Sequence, residues 1–278
     1  MLDINFEGNQ TLWNLINFST KNNIDIYELL HTAIIKEAIF TEEIELLSKF
    51  IESLRDKSKI IKSQLLQDAF ASFIVSDLFD KTFLEFGATD GISLSNSYML
   101  ENELGWKGIL AEPSPQWHKK LKNNRPNTQI LTECIWKSSG ENLDFFVSDV
   151  GVLSTLVDFK YSDLSSMPGN TKTRVKDGNV VKVETLSINE VMEKYFNGNS
   201  PSYVSIDTEG SEYEILNSLD FGKYRPVVFT IEHNFTNLQN KIDALMISND
   251  YKRVFSKLTS FDAWYIRNDA MELQMGKF

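Results

Sequence analysis

From residue 80 onward the chain alternates short apolar runs with amphipathic stretches, and no other feature limits the fold as much. TFLEFGA (82–88), KGILAEPS (107–114), TQILTECIW (128–136), YVSIDTEG (203–210) and PVVFTIEHN (226–234) read as buried strands. Predicted helices through Tyr98–Leu104, from Ser211, and through Leu238–Ile247 separate them. YKRVFSKLTS and FDAWYIRN close the pattern as an antiparallel pair. Strand–helix alternation requires right-handed crossovers, so the expectation is an α/β fold with a mainly parallel, doubly wound sheet. The stretch 141–182 is less regular, with DFFVS and VVKVET as strands flanking a polar loop. Ser187 and Glu190 then have capping-box spacing at the start of the helix SINEVMEKYF.

Before residue 80 the pattern is helical and nearly free of Gly and Pro. Asp25 and Glu28 have capping-box spacing ahead of ELLHTAIIKEAIF, where Ile26, Leu29, Leu30, Ala33 and Ile34 share one face. A second helix is predicted from Thr41 through Leu54, and a third from Ser63 through QLLQDAFASFIVSDLF. The division expected is a helical attachment over 1–62 and a main domain over 63–278. The attachment reads as a packing or homo-oligomer surface, or as a lid over a site.

The formal net charge of -11 repels phosphate backbones, so nucleic acid is not an expected partner. One cysteine, Cys134, excludes an intrachain disulfide, and three histidines do not suggest a zinc cluster. MLDINFEGNQ carries acids and no apolar core, no apolar run has membrane-spanning length, and the cytoplasm is the expected location. N-x-[ST] at Asn9, Asn17 and Asn234 is then a chance match.

Ligands of doubly wound sheets sit beyond the carboxyl ends of the strands. The first strand ends in Glu85-Phe86-Gly87-Ala88-Thr89-Asp90-Gly91. Gly87 and Gly91 permit a tight turn, yet this is not G-x-G-x-x-G, and a pyrophosphate would meet the carboxylates of Glu85 and Asp90. The loop suits a ligand with a cationic end. S-adenosylmethionine (SAM) has an α-ammonium and a sulfonium and carries no phosphate. Glu85 would take the ammonium, and backbone N–H groups of the turn would take the carboxylate. Glu112, beside Pro113 after the second strand, would accept both hydroxyls of a ribose. Cys134 and Ile135 after the third would lie beside the adenine, with Cys134 a small buried side chain and no nucleophile.

These residues resemble the FkbM-type SAM-dependent methyltransferases. The resemblance rests on Glu85 to Gly91, Ser95-Asn96, Leu104-Gly105-Trp106-Lys107-Gly108 and Glu112-Pro113, in order. It extends to Ser63-Gln64 with Gln67-Asp68, to Leu153-Ser154-Thr155-Leu156, and to Ile206-Asp207-Thr208-Glu209-Gly210-Ser211-Glu212, which is similar to the D-x-E-G-x-E motif. It covers about residues 60–270. Where Thr89 stands the family often has Asn. The resemblance implies a class I methyltransferase fold: a Rossmann-like seven-stranded sheet whose last hairpin makes one strand antiparallel. It implies SAM as methyl donor, held by Glu85, Gly87, Ala88, Thr89, Asp90, Ser95, Asn96, Glu112, Pro113, Cys134, Ile135 and Asp207. It also implies O-methylation, often of a sugar hydroxyl in a glycan, glycolipid or natural product. A lipid, peptide or small-metabolite acceptor is the alternative, as is a non-catalytic module that binds partners through its helical segment.

Methyl transfer to a hydroxyl requires loss of the hydroxyl proton, which a carboxylate or histidine in reach would accept. Candidates gather at the ends of strands four and five: Asp207, Glu209, Glu212, Glu232 and His233. Of these, His233, Glu209 and Asp207 are taken as catalytic, while Glu212 also suits the first turn of a helix. The same acids could hold Mg2+ or Ca2+, since hard cations take carboxylate oxygens, but no metal ligand is assigned. His31, His118 and the lysines at 119, 120 and 122 read as structural or solvated.

Overall fold

The computed structural model describes residues 12–30, 43–75 and 77–276. His31, Ala33 and Ile34 lie outside the described residues. The first elements are helices: α1 (Leu12–Asn22), a helical turn over 26–30, α2 (Ile44–Ser53) and α3 (Gln67–Ile74). Then come β1 (Thr82–Phe86), α4 (Tyr98–Asn102), β2 (Lys107–Ala111), α5 (Pro115–Asn124), β3 (Gln129–Leu131), β4 (Cys134–Trp136) and β5 (Asn142–Ser148). They are followed by β6 (Thr155–Leu156), α6 (Pro168–Arg174), β7 (Gly178–Ser187), α7 (Ile188–Tyr195), β8 (Tyr203–Ile206) and α8 (Glu212–Ser218). The last are β9 (Val228–Glu232), α9 (Leu238–Ser248), β10 (Tyr251–Val254), β11 (Asp262–Arg267) and α10 (Asn268–Met275). Among the described residues no helix is long and apolar enough to cross a membrane.

Seven strands form one sheet in the order β10-β11-β9-β8-β1-β2-β3. Only β11 runs against its neighbours, pairing antiparallel with both β9 and β10. This is the seven-stranded, last-hairpin-reversed topology expected of a class I methyltransferase. The register puts Phe86 opposite Ala111 on one side and Ile206 on the other, with Ile206 opposite Ile231. Four strands therefore end level, and the residues after them line up along one rim.

Both faces of the sheet are covered, which is why its central strands are mostly apolar. Side chains alternate between faces along a strand. Leu84, Phe86, Val204, Ile206, Phe229 and Ile231 belong to one core, and Phe83, Tyr203, Val228, Trp264 and Ile266 to the other. The helices before residue 80 complete this second core. Leu47, Phe50 and Ile51 of α2 and Leu54 just after it are buried there, as the sequence spacing predicts, but Leu46 takes the place expected of Ile44, which is exposed. Phe50 stacks with Phe255 at 5.9 Å between ring centroids, and Phe70 with Trp264 at 4.5 Å. Truncating a buried ring of this kind costs about 3–5 kcal/mol, so these helices are part of what holds the sheet.

Asp25 accepts a bond from the N–H of Tyr27 at 2.9 Å, and Ser187 from that of Glu190 at 3.2 Å, so both predicted helix starts carry a side-chain cap. Three expectations change. The helix predicted from Ser63 begins only at Gln67, because Leu66 is left-handed (φ 68) and Ser63 bridges to Leu94. It stops at Ile74, where Val75 is extended. The strand TQILTECIW is two strands, and its second half leaves the main sheet. β5 and β7 form a long antiparallel pair from Asn142↔Glu184 to Ser148↔Gly178, and the free edge of β7 takes β4 in parallel, giving the small sheet β4-β7-β5-β6. The stretch read as a polar loop between β5 and β7 carries β6 and α6, the latter opened by Pro168 in its first turn.

Candidate active site

The level ends of β1, β2, β8 and β9 open into a crevice with a cavity of about 450 Å³. Gly87 (φ 75) turns the chain there: a Cβ would lie 2.0 Å from the backbone oxygen of Asp207, so only glycine lets β1 and β8 end so close together. Thr89 is left-handed too (φ 45), a costly conformation for a β-branched residue and one that Asn adopts readily. The turn is held by Glu112, whose Oε2 accepts from the Thr89 N–H at 2.7 Å while Oε1 accepts from the Ser114 N–H at 2.8 Å. Burial pushes this carboxyl up to about 7. A carboxylate has about four acceptor positions, so Glu112 keeps two for a ligand.

Gly87, Ala88, Thr89, Ser95, Glu112, Pro113, Cys134, Ile135 and Asp207 all line the crevice. Burial pushes the Cys134 thiol up to about 12, which keeps it a neutral side chain.

Three of the residues expected to contact SAM are off the wall. Glu85 lies one residue before the strand end and points with Phe83 to the helix-covered face. Its carboxylate accepts from the Asn96 N–H at 2.8 Å, the Ser95 hydroxyl at 3.0 Å and the Ser97 hydroxyl, which leaves it a clamp on the loop before α4 rather than a seat for an ammonium. Asp90 likewise closes its own turn, accepting from the N–H groups of Ile92 (2.9 Å) and Ser93 (2.7 Å), and pairs with Lys120 at 2.7 Å. Burial works against its charge, but the Lys120 ammonium and those bonds hold its carboxyl below the usual range. Asn96 donates its N–H to Glu85 and its side-chain amide to Ser205 at 2.9 Å, tying the loop to β8. The turn's backbone donors are also committed, Gly87 and Ala88 to the Ala111 oxygen at 3.0 and 3.3 Å and Thr89 to Glu112, so they do not await a carboxylate.

His233 is corrected as well. It is buried and is not among the residues that line the crevice. Its Nδ1 accepts from the Phe235 N–H at 3.0 Å, which leaves Nε2 to donate to the Asp262 oxygen at 3.2 Å. Burial, with the Arg253 guanidinium close by, lowers it to about 4. It is a structural histidine. Glu212 braces its own loop, accepting from the N–H groups of Thr208 and Gly210 at 2.9 Å each.

Asp207, Glu209 and Glu232 do meet on the wall: one oxygen from each lies within 4.8 Å of the others. Burial first, and then their mutual repulsion, raises Asp207 and Glu232 well above the ordinary carboxylate range. Glu209 rises to about 7, for burial outweighs the attraction of Arg174. Arg174 is fully buried, binds Glu209, and pairs with Asp163 at 2.7 Å. Sequence reasoning missed it because it sits in the stretch taken for a polar loop. It also missed Asn234 and Phe235, both left-handed (φ 47 and 53) on the wall; an Asn closing an apolar strand is the signal that pointed to them. Trp13 of α1 lies at the mouth, its ring 5.7 Å from that of Phe261, and nothing local in the sequence announces it.

A profile of the methyltransferase FkbM domain matches residues 85–261. No curated protein matches the chain. Among solved structures, methyltransferase FkbM from Methylobacillus flagellatus KT is similar at 12% identity and TM-score 0.44, over 81% of this chain and 54% of that one. This chain thus spans about half the length of that protein. The precorrin-6y C5,15-methyltransferase of Geobacter metallireducens GS-15 is similar at 13% identity and TM-score 0.38, over 75% of this chain and 89% of that one. The ribosomal protein L11 methylase of Lactobacillus delbrueckii subsp. bulgaricus is similar at 8% identity and TM-score 0.35, over 72% and 76%. The profile covers more than half of the sequence, and the chain belongs to the FkbM methyltransferase family.

Proposed function

We propose that the protein is a SAM-dependent O-methyltransferase that methylates a hydroxyl of a sugar or glycan-type acceptor. The observation that carries the reading is Glu112, seated after β2 against the Gly87–Thr89 turn, with two acceptor positions left on a buried carboxylate. That suits the vicinal hydroxyls of a nucleoside. Phe86, Ala88, Cys134 and Ile135 make an apolar slot beside Glu112 for a base. The acid edge formed by Asp207, Glu209 and Glu232 favours a cationic ligand over a phosphate. When bound, SAM supplies a methyl group on a sulfonium, a leaving group that needs no further activation.

The chain must then align the acceptor and take its proton. Alignment alone can supply several kcal/mol of the barrier. Asp207 and Glu209 are the catalytic candidates that stand on the wall, and with Glu232 they form its proton-accepting edge. Glu209 is oriented by Arg174 and by the Asn234 amide at 3.4 Å. The mouth carries Trp13, Leu94, Phe235 and Phe261, flat apolar surfaces of the kind that cover the C–H faces of a sugar ring. We read residues 1–62 as a helical attachment that shapes this mouth, and 63–278 as the domain beneath it.

Calorimetric titration with SAM and with its demethylated product tests the donor, and transfer of a labelled methyl group to a panel of sugar nucleotides and glycans tests the acceptor. Binding without transfer to any hydroxyl compound would reduce the protein to a SAM-fold binding module. No binding of either nucleoside would remove the reading.

A further inference from the structure

The acid edge holds more carboxyl groups than it has cationic side chains to pair with them. Asp207, Glu209 and Glu232 bring one oxygen each within 4.8 Å of the others, and Arg174 already serves both Asp163 and Glu209. A second observation is independent of that crowding. Glu232, only 8% exposed, has its Oε2 buried without a hydrogen-bond partner among the described residues. Asn234, two residues on and 5% exposed, has its Oδ1 in the same condition. Both residues line the crevice. A buried polar atom left unpaired is costly, and here both unpaired atoms are acceptors. They call for a donor or a cation.

We propose that Asp207, Glu209, Glu232 and the side-chain oxygen of Asn234 form a site for one hard divalent cation, Mg2+, Mn2+ or Ca2+, at the acceptor end of the crevice. The donor set is all oxygen, with carboxylates and one amide and no thiolate or imidazole, which selects these ions over zinc or copper. Asn234 keeps its NH2 toward Glu209 at 3.4 Å, so its oxygen remains for the ion. The left-handed turn of Asn234 and Phe235 keeps this amide at the strand end, within reach of Glu209. The remaining coordination positions open to the cavity, where water or an acceptor oxygen completes them. For its purpose this site rests on the O-methyltransferase reading, since a cation there would favour the ionised form of an acceptor hydroxyl. Its existence does not rest on that reading.

The test uses the full chain stripped with a chelator, with neither SAM nor acceptor present. Mn2+ is titrated and followed by its electron paramagnetic resonance signal, and thermal unfolding is recorded with Mg2+, Mn2+ and Ca2+. One Mn2+ per chain is expected, with Kd between about 10⁻⁵ and 10⁻³ M, and a Tm that rises by about 4 °C or more at saturation. Glu232→Gln and Asn234→Ala should each weaken Mn2+ binding at least tenfold. Glu232→Gln should also leave the metal-free Tm unchanged or higher, because it removes repulsion; if it does not fold, Asn234→Ala carries the comparison. Absence of Mn2+ binding at millimolar concentration would overturn the site, as would equal affinity in these variants, or a Tm that responds to SAM alone and to none of the ions. SAM binding measured separately keeps a failure here distinct from failure of the methyl-donor reading.

Discussion

The two ends of the crevice are built on opposite terms. At the β1–β2 end polar groups are committed to one another: Glu85 to three donors on the loop before α4, Asp90 to its own turn and Lys120, Glu112 to two backbone N–H groups. At the β8–β9 end three acids crowd together around one arginine that is already shared, and two acceptor atoms go without partners. A fully satisfied network fixes a shape, and a half-satisfied one is costly until something completes it. The first end is the better paired of the two, although Asn96 Oδ1 is buried there without a partner among the described residues and Glu112 keeps acceptor positions open, and the second end crowds three carboxyl groups on one another.

The contrast can be broken most severely at Arg174. Arg174→Met should cost about 3–5 kcal/mol in urea unfolding, because Asp163 and Glu209 would be left buried without their cation. At the other end, Gly87→Ala should cost about 2–4 kcal/mol and abolish SAM binding by calorimetry, since its methyl group would meet the Asp207 oxygen from a left-handed backbone. Glu112→Ala should weaken SAM by about 1–3 kcal/mol with the fold retained. Unchanged affinity would take the ribose away from β2.

A titration sharpens the comparison further. Asp262, which accepts from Gln67 and Trp264 at 3.0 Å each, is pushed by burial up to about 7. Its folded value lies above its unfolded one, so the protonated form is the one that folding favours. The stability this provides is complete below about pH 4 and is lost as pH rises through 7. Stability measured by urea unfolding should therefore fall between pH 5 and pH 8, with Asp262 contributing on the order of 2 kcal/mol and the buried Glu112 and Glu209 adding to the same slope, and Asp262→Asn should remove its own share alone. The smallest effect belongs to His233→Gln: turnover should stay within about threefold of the parent, where a general base would cost about a hundredfold.

The sheet was readable because buried parallel strands write themselves as apolar runs, and their ends placed Gly87, Glu112 and Asp207 on one rim before any coordinates. What the sequence hid depends on contacts distant along the chain. The direction of His233 is set by Asp262 and Arg253, and the loop read around Arg174 becomes a helix that reaches Glu209. Glu85 showed its residue type but not its face, and a strand side chain's face shifts with a single position of register. The split of TQILTECIW follows from the edge that β7 offers, which no window around Cys134 contains.

Trp13 is carried by α1, well ahead of the segment 85–261 that the family shares. The rim of the crevice is thus drawn partly by a stretch that lies outside the segment the family profile matches. Anything entering there would meet one side chain that family membership alone does not supply.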